Sequence, residues 1–235
     1  GLALSTMIIT SALGIGDTID YSTKAGVYED LGGIDIQIST GQIRAQAAFA
    51  LGGGPPSDAG DESWFDARVA QAVADLARYE APELLDGVAP VIVQQLPALN
   101  NDSGLSEAAV EVRGLGAVTG DGLALPQGLN DLSPGEVLVN AALAQALDAA
   151  PGDTLLVVKG APSPVRVAGV VPDGELAGGA PALLMPLDHA QTLFGQPDQI
   201  NAVLVSNTGD NEAGVALSAR AVEQLQTAAP GLVVN

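Results

Sequence analysis

The chain has no cysteine, one histidine and few aromatic residues, at 3% of 235 positions. The missing cysteines exclude disulfides and thiolate metal sites, although many exported bacterial domains also lack them, so they do not fix a compartment. With one histidine, a transition-metal site would have to rest on carboxylates. Scarce aromatics mean a core built mainly from Ala, Val, Leu and Ile. Basic residues are scarce too: 8 Lys and Arg stand against 28 Asp and Glu, a formal charge of −20. That balance argues against nucleic-acid binding, because phosphate contacts need Lys and Arg, and against lying on an anionic membrane surface. Hydrophobic residues make up 47% of the chain, too many for a disordered acidic tail.

Charge is missing from the opening altogether. GLALSTMIITSALGIG, residues 1–16, carries none, and the first ionisable group is Asp17. A secretory signal peptide would need an initiating Met and a basic flank, and neither is there. A buried core helix suits an apolar run somewhat shorter than the roughly 20 residues of a membrane span. The outer end of a transmembrane helix suits the start at Gly1, which reads as a fragment, and the small residues Ser5, Thr6, Ser11, Gly14 and Gly16. Both of these readings stay open on the residues alone. DTIDYSTKAGVYEDL then keeps a helical rhythm until Gly32-Gly33.

IDIQIS (34–39) alternates strictly, as a half-buried strand does. The Gly/Pro/acid stretch 51–63 reads as an exposed loop. Ser63 and Asp66 resemble a capping box, and Phe65, Val69, Val73 and Leu76 recur at helical spacing, which predicts a helix over about 64–80. Residues 87–99 read as the next strand. From about 107 the texture turns to short strands and turns. PGEVLVN (134–140) is a strand, and Asn140 is a good N-cap for AALAQALDAA. TLLVVK and VRVAGVV flank GAPSP as a hairpin with a longer loop. ALLMP (182–186) is a strand, Asp188 a cap for a short helix to Phe194, and Gly195 its end. NAVLVS, a helix over 212–227 and LVV close the chain. Strand–helix–strand thus occurs once on each side of a middle block. The order predicts an α+β fold: a split domain, 33–112 with 199–235, and an inserted strand-rich unit, 113–198.

No catalytic constellation is legible. His189 beside Asp188 is an adjacent pair rather than an oriented one, no G-x-S-x-G elbow occurs, and an ordinary helix N-terminal residue explains it. GLGAVTGDG (114–122) spells G-x-G-x-x-x-G without the flanking strand and helix of a nucleotide loop, and G-K-[ST] occurs nowhere; it reads as a turn-rich connection. Asp58, Asp61, Glu62 and Asp66 lack the EF-hand spacing and read as a solvated acidic loop. The expectation is therefore no catalytic, cofactor-binding or metal-binding residue, no cofactor and no enzymatic activity. A hydrolase with an unrecognised site is disfavoured by the absence of any such motif.

PGEVLVNAALAQALDAAPGDTLLVV, followed by VRVAGVVPDGELAGGAPALLMPLDHAQTLFGQPDQINAVLVS, resembles the extracytoplasmic domain of the FtsX-like, MacB-type ABC transporter permeases. The opening GLALSTMIITSALGIGDTI looks like the outer half of that family's first transmembrane helix. The resemblance is strong over 134–206, good over 1–31 and weak over 40–125. It implies a porter-like α+β domain with a small inserted subdomain, lying outside the cell membrane between the first two transmembrane helices. Residues 1–32 would then be the outer end of that helix and a stalk. It also implies a separate cytoplasmic ABC ATPase as partner, since this chain has no nucleotide motif. Further implications are a permease homodimer or heterodimer, mechanotransmission through the stalk, and a lipid, lipoprotein, peptide or protein partner outside. The contrasting expectation is a soluble secreted binding or adhesion module whose first helix is a core element.

Overall fold

In a computed structural model of the chain, residues 33–40, 64–209 and 211–235 are described. The apolar opening, the stalk expected over 17–31, the loop over 51–63 and Ser63 lie outside them. Strands dominate a mixed α+β fold organised around one ten-stranded sheet.

The spine of that sheet is β3 (Leu85–Asn100), one unbroken strand of 16 residues. β1 (Ile36–Ser39) and β11 (Ala202–Asn207) lie beside its first half, with β12 (Val233–Val234) outermost. On its other edge run β5 (Thr119–Gly120) and β4 (Ser106–Leu115). β4 continues in parallel to β9 (Ala182–Pro186), then antiparallel to β6 (Glu136–Asn140), which runs parallel to β8 (Ala161–Val171). β7 (Thr154–Lys159) pairs with β8 and returns to Ala98–Asn100 of β3. The sheet therefore closes on itself through β3, β4, β9, β6, β8 and β7. β2 (Phe65–Asp66) and β10 (Gln199–Ile200) form a separate two-stranded ribbon.

The alternation read in the sequence selects the buried faces. Ile36 and Ile38 are sealed, as are Val203 and Val205 beside them on β11. They meet Val73 of α1 (Arg68–Asp75) and Ala221 and Leu225 of α4 (Asn211–Ala228) in one apolar cluster. Ala202 and Leu204, of opposite parity, join Val91, Leu115 and Leu184 in a second cluster on the other face. α2 (Ala141–Leu147) inserts Leu143 and Leu147 into the first cluster, and α3 (Leu187–Phe194) inserts Ala190 and Phe194. No helix among the described residues is long and apolar enough to cross a membrane.

Three local expectations are corrected. The helix predicted over 64–80 begins only at Arg68 and passes into a π-helical turn over Leu76–Glu80. Ser63, half of the expected capping box, lies outside the described residues; the Asp66 carboxylate accepts from the Arg68 backbone N–H and side chain, and Ala67 is the N-cap with no side-chain bond. Pro186, not Asp188, is the N-cap of α3, and the Asp188 carboxylate turns back to the His189 N–H. GAPSP is not a loop. β8 starts at Ala161, directly after Gly160, so Pro162 and Pro164 sit inside the hairpin, opposite Val158 and Leu156.

Candidate functional site

A dense polar construction centred on one side chain, Asn140, holds the loop between β8 and β9. Asn140 ends β6 and caps α2, its Oδ1 accepting from Leu143 N at 3.0 Å. The same oxygen accepts from Ala182 N at 2.9 Å, which fixes the start of β9. Its Nδ2 donates to the carbonyls of Ala177, Gly178 and Ala180 at 3.4, 3.1 and 2.7 Å. The residue is fully buried, so all of these replace water rather than compete with it. Arg113 on β4 comes from the other side, donating to Leu176 O at 3.2 Å while paired with Glu111. Its guanidinium lies flat on Gly178, where a Cβ would stand 2.4 Å from Nη2 and where φ is +74°. Only glycine admits both that backbone and that approach.

So held, the loop forms one wall of an open cleft of about 610 Å³. Val170, Pro172, Asp173 and Glu175 line it, with Leu125 and Pro126 across from them. Asp173 and Glu175 are exposed, and Glu175 has a left-handed φ of +45°. A non-glycine residue in that region is strained and persists only where its surroundings fix it, as Asn140 and Arg113 do here. Such a cleft offers apolar contact and negative charge. Its lining contains no Ser, Thr, His, Lys or Arg, and Asp173 and Glu175 are its charged residues.

The residues singled out in the sequence fall elsewhere. His189 lies half-buried in the first turn of α3, its Nδ1 buried without a partner. Because Asp188 bonds to the His189 backbone, the adjacent pair is not a dyad. Asp66 makes a surface pair with Arg68, whose hydrogen bonds lower its pKa to about 2. Asp58, Asp61 and Glu62 lie outside the described residues, and no metal-sized cluster of His, Asp and Glu occurs among the described ones. Of GLGAVTGDG, Gly114 and Leu115 end β4 and the remainder turns into β5. At Gly114 a Cβ would stand 2.3 Å from that of Ala190, so glycine lets α3 press against β4.

Two further polar devices were hidden from local reading. Fully buried Asn201 bonds both ways with the Val93 backbone, Oδ1 from N at 2.9 Å and Nδ2 to O at 2.8 Å, extending the edge of β11 by one side chain. At the far end of the same strand Asp35 accepts from Asn207 N at 2.8 Å. Burial raises its pKa, opposed by that bond and reinforced by Asp86. The only sequence signal for either was a polar residue at an apolar-phase strand end.

The solved structures similar to this chain bear on the same architecture. The periplasmic region of MacB from Actinobacillus actinomycetemcomitans superposes with a TM-score of 0.50 at 16% identity, over 88% of this chain and 91% of that one. The extracellular domain of the noncanonic ABC-type transporter YknZ from Gram-positive bacteria gives 0.47 at 14% identity, over 77% and 95%. No curated protein sequence matches. The sequence profile of the MacB-like periplasmic core domain matches residues 1–229, nearly the whole chain, and the chain belongs to that family.

Proposed function

We propose that this chain is the extracytoplasmic domain of an ABC transporter permease. In this reading it engages a lipid, lipoprotein, peptide or protein partner outside the membrane and takes up motion driven by a separate cytoplasmic ATPase. The family match over 1–229 carries the proposal. Residues 1–16 serve as the outer end of a transmembrane helix and 17–31 as the stalk, within a permease homodimer or heterodimer. Strand pairing supports a tether at one end of the domain, because Gln37 and Asn235 exchange backbone hydrogen bonds at 2.8 and 3.0 Å. β1 and β12 are thus neighbouring strands.

The division into a porter-like unit, 33–112 with 199–235, and an inserted unit, 113–198, belongs to the same proposal. Its support is that β9, β6, β8 and β7, all from the middle block, stand consecutively in the sheet and join the other unit only at β4 and at the far end of β3. Because these 235 residues hold no cysteine, one introduced at exposed Ser103 is the only thiol within them, and the unsubstituted full-length protein serves as the control for labelling elsewhere. In cells expressing the full-length protein, a membrane-impermeant maleimide should modify Ser103→Cys without lysis. Modification only after permeabilisation would refute the placement outside. Failure of a cytoplasmic ATPase to co-purify with the full-length protein in detergent would refute the coupling.

A further inference from the structure

β8 is covered unequally. On one edge β6 runs beside Arg166–Val171. On the other edge β7 pairs with Ala161–Arg166, and Val167 is bonded to Gly152 and Asp153. Beyond that point the edge of Ala168–Val171 has no backbone partner among the described residues. Sheets normally guard a free edge with Lys, Pro or an inward charge, because unpaired N–H and C=O groups template a new strand. Here a register shift places Ala168 in a bulge, and the stretch from Gly169 to Val171 that follows it carries no charge, with Val170 43% exposed. By contrast, the outer edge of β12 is two residues long, and the unpaired β6-side edge of β8 before Arg166 carries Pro162 and Pro164.

This edge runs into the cleft. Val170 and Val171 line it, followed by Pro172, Asp173 and Glu175, and its lining contains no Lys or Arg. An occupant would therefore meet backbone donors and acceptors along one side, apolar surface from Leu125, Pro126 and Val170, and two carboxylates, that of Asp173 also accepting from Ala142 N, with no basic residue in the lining. The loop is already fixed from behind by Asn140 and Arg113, so little ordering cost would be incurred on binding. A net charge of −20 would also favour encounter with a cation.

We propose that the free edge of Ala168–Val171 is a strand-addition site for an extended, basic segment of a partner protein, with Asp173 and Glu175 receiving its cationic side chains. Main-chain hydrogen bonds supply affinity in this mode, and side chains supply selection. The inference stands on the edge and the cleft and does not depend on the transporter reading.

The test uses the chain with a short fluorescent peptide of alternating Lys and Val, against a matched Glu/Val peptide. Anisotropy should show saturable binding of the Lys/Val peptide, weakened by salt, and much weaker binding of the other. Hydrogen exchange should show new protection at residues 168–171. Asp173→Asn with Glu175→Gln should weaken binding about tenfold, since an exposed pair is worth at most about fivefold each. Both positions are exposed, and the amide introduced in place of Asp173 would keep the oxygen that accepts from Ala142 N, so the fold survives the change. No binding at about 1 mM peptide, equal binding of both peptides, or binding without protection at 168–171 would overturn the proposal. A concentration-dependent dimer abolished by Val170→Glu would also overturn it, by showing that the edge takes a second copy of this chain.

Discussion

Replacing Asn140 by alanine removes five hydrogen bonds at a fully buried position. Loss of the helix cap alone costs about 1 kcal/mol. The Ala182 N–H is then left buried without a partner, at about 1–3 kcal/mol. The carbonyl of Ala180, bonded at 2.7 Å, adds about 1 kcal/mol, and those of Ala177 and Gly178, at longer range, add less. The expected destabilisation is about 3–5 kcal/mol, a large part of the stability of an ordinary domain. Urea denaturation followed through Trp64, the only tryptophan, reads it directly. The midpoint should fall with the slope unchanged.

Asn140→Asp sharpens the test. It keeps the oxygen that caps α2 but aims a carboxylate at three carbonyls, so it should be worse than alanine at neutral pH. Ionisation is disfavoured in the fold, so the folded-state pKa of the new group lies above its unfolded value. Stability should then fall as pH rises through that window and recover on acidification. A loss below about 1 kcal/mol for alanine, or an Asp variant no worse than alanine with no acid recovery, would refute the assignment of Asn140 as the keystone of this loop.

Gly114→Ala should cost about 1–3 kcal/mol by overpacking against Ala190, measured as a denaturation midpoint, and Ala190→Gly in the same chain should restore part of it. Arg113→Met strands the Glu111 carboxylate, 18% exposed, and the Leu176 carbonyl. A loss of about 2 kcal/mol is expected, together with faster hydrogen exchange over residues 174–178. Asp35 has a raised pKa, so the folded state holds its proton more tightly than the unfolded one. Its contribution is therefore most favourable below its unfolded value and declines as pH rises through the folded one. Asp35→Asn should flatten that segment of the stability–pH curve, and an unchanged curve would show that another group titrates there.

What the sequence made legible follows from what is local. β9 and β11 were plain because five- and six-residue apolar runs end at turn residues, and the Asn140 cap because an N-cap is read within four positions. GAPSP misled because proline argues against a strand. Pro162 and Pro164 share the parity of Arg166, whose N–H points to the β6 side, and β6 begins only at Glu136, opposite Arg166. Their missing donors face an edge where no ladder bond exists. The helix start was placed too early because Asp66, two residues before Arg68, turns its carboxylate to that residue and the helix begins only there. The other roles of Asn140, the clamp of Arg113 on Gly178 and the bridge of Asn201 to Val93 join residues 37 to 108 positions apart, and no periodicity reports such pairs.

β3 carries a mechanical consequence. Its 16 residues span about 50 Å at strand rise, from Leu85 near the paired β1 and β12 to Asn100 at the closed end of the sheet. Its ladder shifts register near Leu85–Gly87 and again between Leu96 and Ala98, but no loop interrupts it, so a displacement of one end reaches the other along a single strand. Its bonds to β4 and β11 lie across its axis, and an axial pull loads them in shear, many at once, rather than peeling them one by one. The strand behaves as a stiff rod glued along both sides, and such a rod yields at its attachments before it yields along its length.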